Sequence, residues 1–259
     1  MKFSASTLSM LAWGALDLKK LDSNIGIEIF YEWASRELWN HALAEAMPGR
    51  SGGFSIHSPF NFADTCKTPE EDLFRQWQEP FDLYHKYNGE FYVIHSQGNG
   101  PLPSSEAERK EMRIIATDRI ARFADICEKN GIHMVVENLF DGKEGPLFGQ
   151  EEFIQLFQDI PNINCLIDTG HAVLGFYDIY EVQKALGKRL VGYHIHDNDG
   201  KDDLHLRVGD SKGVIDWNRF FEGYAKYTPE ATLVMEYSKA EIFDFTNDMK
   251  KMENWINQF

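Results

Sequence analysis

Several short apolar runs of this chain end in a side chain that binds metals. His57, His95, Glu137, Asp168, His194 and Glu236 each close such a run. Imidazole and carboxylate groups hold a divalent ion, and an ion so held polarises a carbonyl or activates a water. A carboxylate at the end of a buried strand is costly unless it is paired or coordinated, so Glu137 and Glu236 need partners. The stretch YHIHDNDGKDDLH (193–205) packs three histidines and four aspartates into thirteen positions. On a strand, His194 and His196 share one face. Asp203 and His205 fall on the loop that follows and can fold back over it. DTGH (168–171) adds His171, with Gly170 expected to supply a sharp bend. His196, Asp197 and Asp199 are read as neighbours of the ligands, substrate groups or plain loop residues. His41, His85 and His133 read as structural or surface residues. Cys165 reads as core. Trp13, Trp33 and Trp217 either line the site or pack in the core.

These groups converge only if the strands that carry them lie side by side. The runs are FSAST (3–7), IGIEIF (25–30), FSIHSPF (54–60), FYVIHS (91–96), IHMVVEN (132–138), INCLIDTGH (163–171), LVGYHIHDN (190–198) and TLVMEYS (232–238). Near-continuous apolar strands indicate a parallel sheet covered on both faces. Helical patterns separate them. The clearest is 104–130, which opens on serines and acids and stops at Gly131. Segments 150–160, 178–187 and 241–259 follow the same period. Segment 69–89 contains Pro80, which predicts a kink or two short helices. Eight βα units in 259 residues have the rhythm of a single (β/α)8 TIM barrel spanning residues 1–259. An open doubly wound sheet is the alternative, but the Gly-rich phosphate turn that it carries is missing. In a barrel, the strand ends named above meet at the C-terminal mouth, where such enzymes do their chemistry.

Composition narrows the field. Hydrophobic residues make up 43% and charged residues 26%, as in a soluble domain with a sizeable core. A formal net charge of −15 argues against a partner held by phosphate neutralisation, duplex DNA above all. No run approaches the roughly 20 apolar residues of a membrane span. The three cysteines, Cys66, Cys127 and Cys165, form no CxxC pair, which points to a reducing, cytoplasmic setting.

The motifs GIE (26–28), IHSPF (56–60), VIHS (93–96), VVEN (135–138), LIDTGH (166–171), HIHDN (194–198), DLHLRVGD (203–210) and VMEY (234–237) occur in an order that resembles the xylose-isomerase-like TIM barrels. That superfamily holds sugar isomerases and epimerases as well as endonuclease-IV-type AP endonucleases (AP endonuclease family 2). The resemblance runs the length of the chain. Through its sugar-handling members it implies one divalent metal (Mn, Co, Mg or Zn) on Glu137, Asp168, His194 and Glu236. Glu137 and Glu236 would pass a proton through an enediolate, and His171 would touch a small carbohydrate substrate. His196, Lys143 and Arg207 are further candidate substrate contacts. Through the endonuclease-IV-type members the resemblance implies up to three zinc ions on His57, His95, Glu137, Asp168, His171, His194, Asp203, His205 and Glu236. Such a set activates a water for phosphodiester cleavage. Two departures bear on the choice. Ketose 3-epimerases carry a glutamate six positions after the first metal glutamate, where this chain has Lys143. The loops DGKEGP and NDGKDD are short and acidic, unlike the basic loops that read DNA. The sequence reading is therefore a metal-dependent sugar, polyol or keto-sugar isomerase or epimerase, with a trinuclear-zinc phosphodiesterase as the alternative. It leaves a homo-oligomer open.

Overall fold

The structure, a computed structural model, describes residues 1–12, 15–98, 100–140 and 145–259, with backbone only at 11, 12 and 15–17. Trp13 and Lys143 lie outside the described residues. Eight parallel strands close into a barrel in sequence order. They are β1 (Lys2–Ser6), β2 (Gly26–Phe30), β3 (Phe54–His57), β4 (Phe91–His95), β5 (Met134–Glu137), β6 (Asn164–Asp168), β7 (Leu190–Ile195) and β8 (Thr232–Met235). The helices around them are α1 (Arg36–Ala46), α2 (Glu70–Gln78), α3 (Phe81–Lys86), α4 (Glu106–Lys129), α5 (Gln150–Asp159), α6 (Thr169–Leu174), α7 (Ile179–Leu186), α8 (Trp217–Tyr227) and α9 (Ile242–Ile256). Pro80 divides the 69–89 segment, as its ring requires, so α2 and α3 are separate.

The strands carry two cores at once. Outward positions such as Ile27, Ile56, Ile94, Val136, Ile167, Tyr193 and Leu233 pack against the helices. Inward positions alternate with them, and Phe91, Val93, Val135, Leu166 and Val234 fill the barrel interior as a separate apolar cluster. Two residues further along come His95, Glu137 and Asp168, which close β4, β5 and β6, and Glu236, just past the end of β8. The period of two therefore delivers an apolar plug below and a polar layer above it. Strand register levels that layer: His95 pairs with Glu137, and Asp168 pairs with His194.

The long connection from β7 to α8 is held by Asp197. Its carboxylate accepts from the backbone of Asn198, Val214 and Ile215 and from Trp217 Nε1. Its backbone makes an antiparallel bridge with Leu206. This brings Asp203 and His205 back over the mouth. Asp197 is thus a loop-organising residue, and Trp217 packs in the core beneath it.

Candidate metal centre

Among the described residues, four groups of ligand atoms meet at the C-terminal mouth. They are His57, His95 and Glu137; then Glu137, Asp168, His194 and Glu236; then His171, Asp203 and His205; and last His196, His205 and Glu236, which overlaps the second and third. Within each group the ligand atoms lie within 4.8 Å of one another. Glu137 belongs to two groups through different oxygens. Its Oε2 lies 3.3 Å from His57 Nε2 and 3.5 Å from His95 Nε2, and those two nitrogens are 3.1 Å apart. Its Oε1 lies 3.1 Å from His194 Nδ1, which is itself 3.2 Å from Glu236 Oε2. In the third group, Asp203 Oδ2 is 3.2 Å from His171 Nε2 and 3.1 Å from His205 Nε2. Donors about 2.0–2.2 Å from a tetrahedral ion stand roughly 3.3 Å apart, so these spacings fit divalent ions.

The imidazoles are aimed for the purpose. His57 Nδ1 lies 2.9 Å from the Ser58 carbonyl, His171 Nδ1 3.2 Å from the Asn138 carbonyl and His205 Nδ1 3.1 Å from the Glu236 carbonyl. A carbonyl only accepts, so each Nδ1 carries a proton and each Nε2 is the nitrogen left facing inward. His194 is reversed: its Nε2 meets Glu28 Oε1 at 2.8 Å and leaves Nδ1 facing inward. An outer acceptor that fixes the tautomer of an inner nitrogen is the usual mark of a metal-binding histidine. Glu137 Oε2 and Glu236 Oε1 are buried without a hydrogen-bond partner, which fits ligand positions further. His205 sits at φ +47°, a left-handed backbone that a non-glycine residue seldom adopts. That strain persists where the surroundings impose it, here to bring Nε2 beside Asp203.

Charge is crowded at the mouth. Burial works against ionised Glu137, but His194, His171 and His57 outweigh it and hold the carboxyl well below its usual range. Burial raises Glu236 to about 7, with His194 and His205 pulling the other way. Burial also opposes charge on His205, yet Asp203 and Glu236 raise it to about 9. A raised histidine stabilises the metal-free fold fully below its unfolded pKa of about 6.5. That stability is lost as pH climbs to about 9. An ion must displace this proton, so metal affinity is expected to rise with pH up to about 9. Chelator competition with zinc across this range, corrected for the chelator's own protonation, measures it. A flat profile would remove His205 from the ligand set.

His57, His95, Glu137, His171, Asp203, His205 and Glu236 line a cavity of about 300 Å³, whereas Asp168 and His194 are fully buried and do not line it. One wall is aromatic, formed by Phe30, Trp33 and Phe60, Phe30 stacks on His57, and Phe140 also lines the cavity. Two of the candidate substrate contacts stand away from the cavity, and one expected bend is absent. His196 does not line the cavity, although it comes within 4.8 Å of ligand atoms of His205 and Glu236. It is fully buried behind Asp168, with Nε2 at 2.8 and 2.9 Å from the two carboxylate oxygens. Arg207 is turned away, because Asp244 and Asp248 on α9 hold its guanidinium. Gly170 makes no sharp bend. It lies in α6, which Asp168 caps by accepting from His171 N at 2.7 Å, and a Cβ there would stand 2.0 Å from His196 Cε1. Glycine is required at 170 for close approach. Glu28 was missed as a participant. Its signal was a charged residue inside the otherwise apolar run IGIEIF.

A closed parallel barrel with a polar cluster at its C-terminal mouth is an enzyme architecture. Within that class, the chain belongs to the xylose isomerase-like TIM barrel family, whose model matches residues 22–256. Over its whole length the fold is similar to that of a D-tagatose 3-epimerase-like protein (18% identity, 99% of that chain, TM-score 0.79). It is also similar to the TTHB071 protein from Thermus thermophilus, solved after soaking with ZnCl2 (17% identity, 100% of this chain and 98% of that one, TM-score 0.73). A third similar structure is an AP endonuclease, family 2, from Brucella melitensis (16% identity, 93% of this chain and 95% of that one, TM-score 0.66). In sequence, the uncharacterized protein MJ1311 of Methanocaldococcus jannaschii is 31% identical over 97 residues, 35% of this chain and 32% of that protein. The chain thus matches about a third of that relative's length.

Proposed function

We propose that this protein is a metal-dependent enzyme with more than one divalent ion at its centre, and that it hydrolyses a phosphoester bond of a small substrate. The reading rests on the two faces of Glu137, Oε2 toward His57 and His95 and Oε1 toward His194. A carboxylate shared in this way suits neighbouring ions. Ions held there would supply an activated water and would neutralise anionic charge on the substrate. The chain's own residues do the rest. His57, His95, His171, His194 and His205 present inner nitrogens, four of them fixed by outer acceptors. The aromatic wall orients the substrate and keeps bulk water off one side. A cavity of about 300 Å³ suits a small molecule, and a net charge of −15 gives duplex DNA no cationic footprint.

A second reading is favoured by a different observation. Glu137 and Glu236 both line the cavity, with ligand atoms within 4.8 Å in the group they share with Asp168 and His194. One ion on that group would serve a sugar isomerase or epimerase, in which the two glutamates exchange the substrate proton. Cys66, Cys127 and Cys165 are free and buried, in keeping with a cytoplasmic setting. Among the described residues no helix is long and apolar enough to cross a membrane.

Metal counting by mass spectrometry on zinc- or manganese-loaded, dialysed protein separates the two readings. It is followed by a panel of phosphomonoesters and phosphodiesters and a panel of ketoses and aldoses assayed in D2O. Two or three ions per chain with phosphoester cleavage is the expected result. One ion per chain, with deuterium entering a sugar, would overturn it in favour of the second reading.

A further inference from the structure

Among the described residues, Glu28 is the one buried carboxylate of the barrel interior outside the four ligand groups that touches one of their members. It lies on β2, opposite Ser55 on β3 in the strand register, and is completely buried. Its two oxygens have separate partners. Oε1 meets His194 Nε2 at 2.8 Å, and Oε2 accepts from Ser55 Oγ at 2.8 Å. His57, His171 and His205 are oriented by backbone carbonyls, whereas His194 has an anion behind it. A buried carboxylate is expensive even with two hydrogen-bond donors, and positive charge on the imidazole or on its far side offsets the expense. His194 Nδ1 points to Glu137 and Glu236, where that charge would sit.

We propose that Glu28 is a positioning residue for the centre: through Nε2 it fixes the tautomer and ring orientation of His194 and strengthens Nδ1 as a metal donor. Ser55 in turn holds the carboxylate in place. This inference rests on the reading above that the centre binds ions. It concerns one ligand only, and Glu28 touches neither the ion nor the substrate.

The test uses full-length protein and zinc alone as the probe. Glu28→Ala is expected to weaken zinc binding about 10- to 100-fold, the usual effect of losing such a partner. In ¹⁵N spectra of histidine-labelled protein, the His194 ring should change from one tautomer to a mixture. Glu28→Gln keeps an accepting oxygen for His194 and a partner for Ser55, so the tautomer should stay fixed and part of the affinity should return. Wild-type affinity in a folded Glu28→Ala protein would overturn the inference. If Glu28→Ala fails to fold, Glu28→Gln decides: reduced affinity with one tautomer supports the role, and unchanged affinity overturns it. Wild-type protein that binds no zinc would instead defeat the reading of the centre itself.

Discussion

Replacing Glu137 by alanine is expected to cost this protein at least one bound ion per chain and about a thousandfold in turnover. The size follows from the position of the side chain. It joins the His57–His95 group to the Asp168–His194–Glu236 group, so one substitution damages both. Loss of a group that holds the reacting centre removes several kcal/mol of transition-state stabilisation, and about 4 kcal/mol is a factor of roughly a thousand in rate. Metal content by mass spectrometry and turnover on the substrate found in the panel are the two readouts. His95→Ala is the informative companion. It should also lower activity if two groups act together, and should leave activity near wild type if only the four-ligand group works. A Glu137→Ala protein with wild-type metal content would sink the shared-carboxylate reading altogether.

Gly170→Ala is expected to destabilise the fold by about 1–3 kcal/mol, the range for overpacking a filled core. At an exposed helical position the same change would stabilise by up to about 1 kcal/mol, so the sign itself is the test. The new methyl would meet the His196 ring at 2.0 Å. That ring has little room to yield. It stacks on His205 with centroids 3.9 Å apart, and its Nε2 is bonded to Asp168. Any shift therefore moves two residues of the ligand groups. Urea unfolding should show the loss of stability, and zinc affinity should fall with it. Stability and affinity at or above wild type would show that His196 moves freely and does not brace Asp168.

The barrel was legible because its signals are local and repeated. Eight apolar runs are followed by helical or loop material, with stops such as Gly131 or Pro161, and eight repeats leave few other folds. Strand ends were legible too, since His57, His95, Glu137 and Asp168 close their strands. What the loops and neighbours do was not. Arg207 is one residue of a polar loop in the sequence, and only the packing of α9 shows that Asp244 and Asp248 hold it.

By itself the sequence determined the fold class and which residue types gather at the mouth, because side-chain period and strand order follow from local chemistry. Only the tertiary structure decided how those residues divide into groups. The two oxygens of Glu137 face different partners, His196 stands behind Asp168, and Glu28 reaches His194 across the barrel from 166 residues away in the chain. Such assignments depend on barrel closure and register, which set distances between strands that no spacing along the chain encodes.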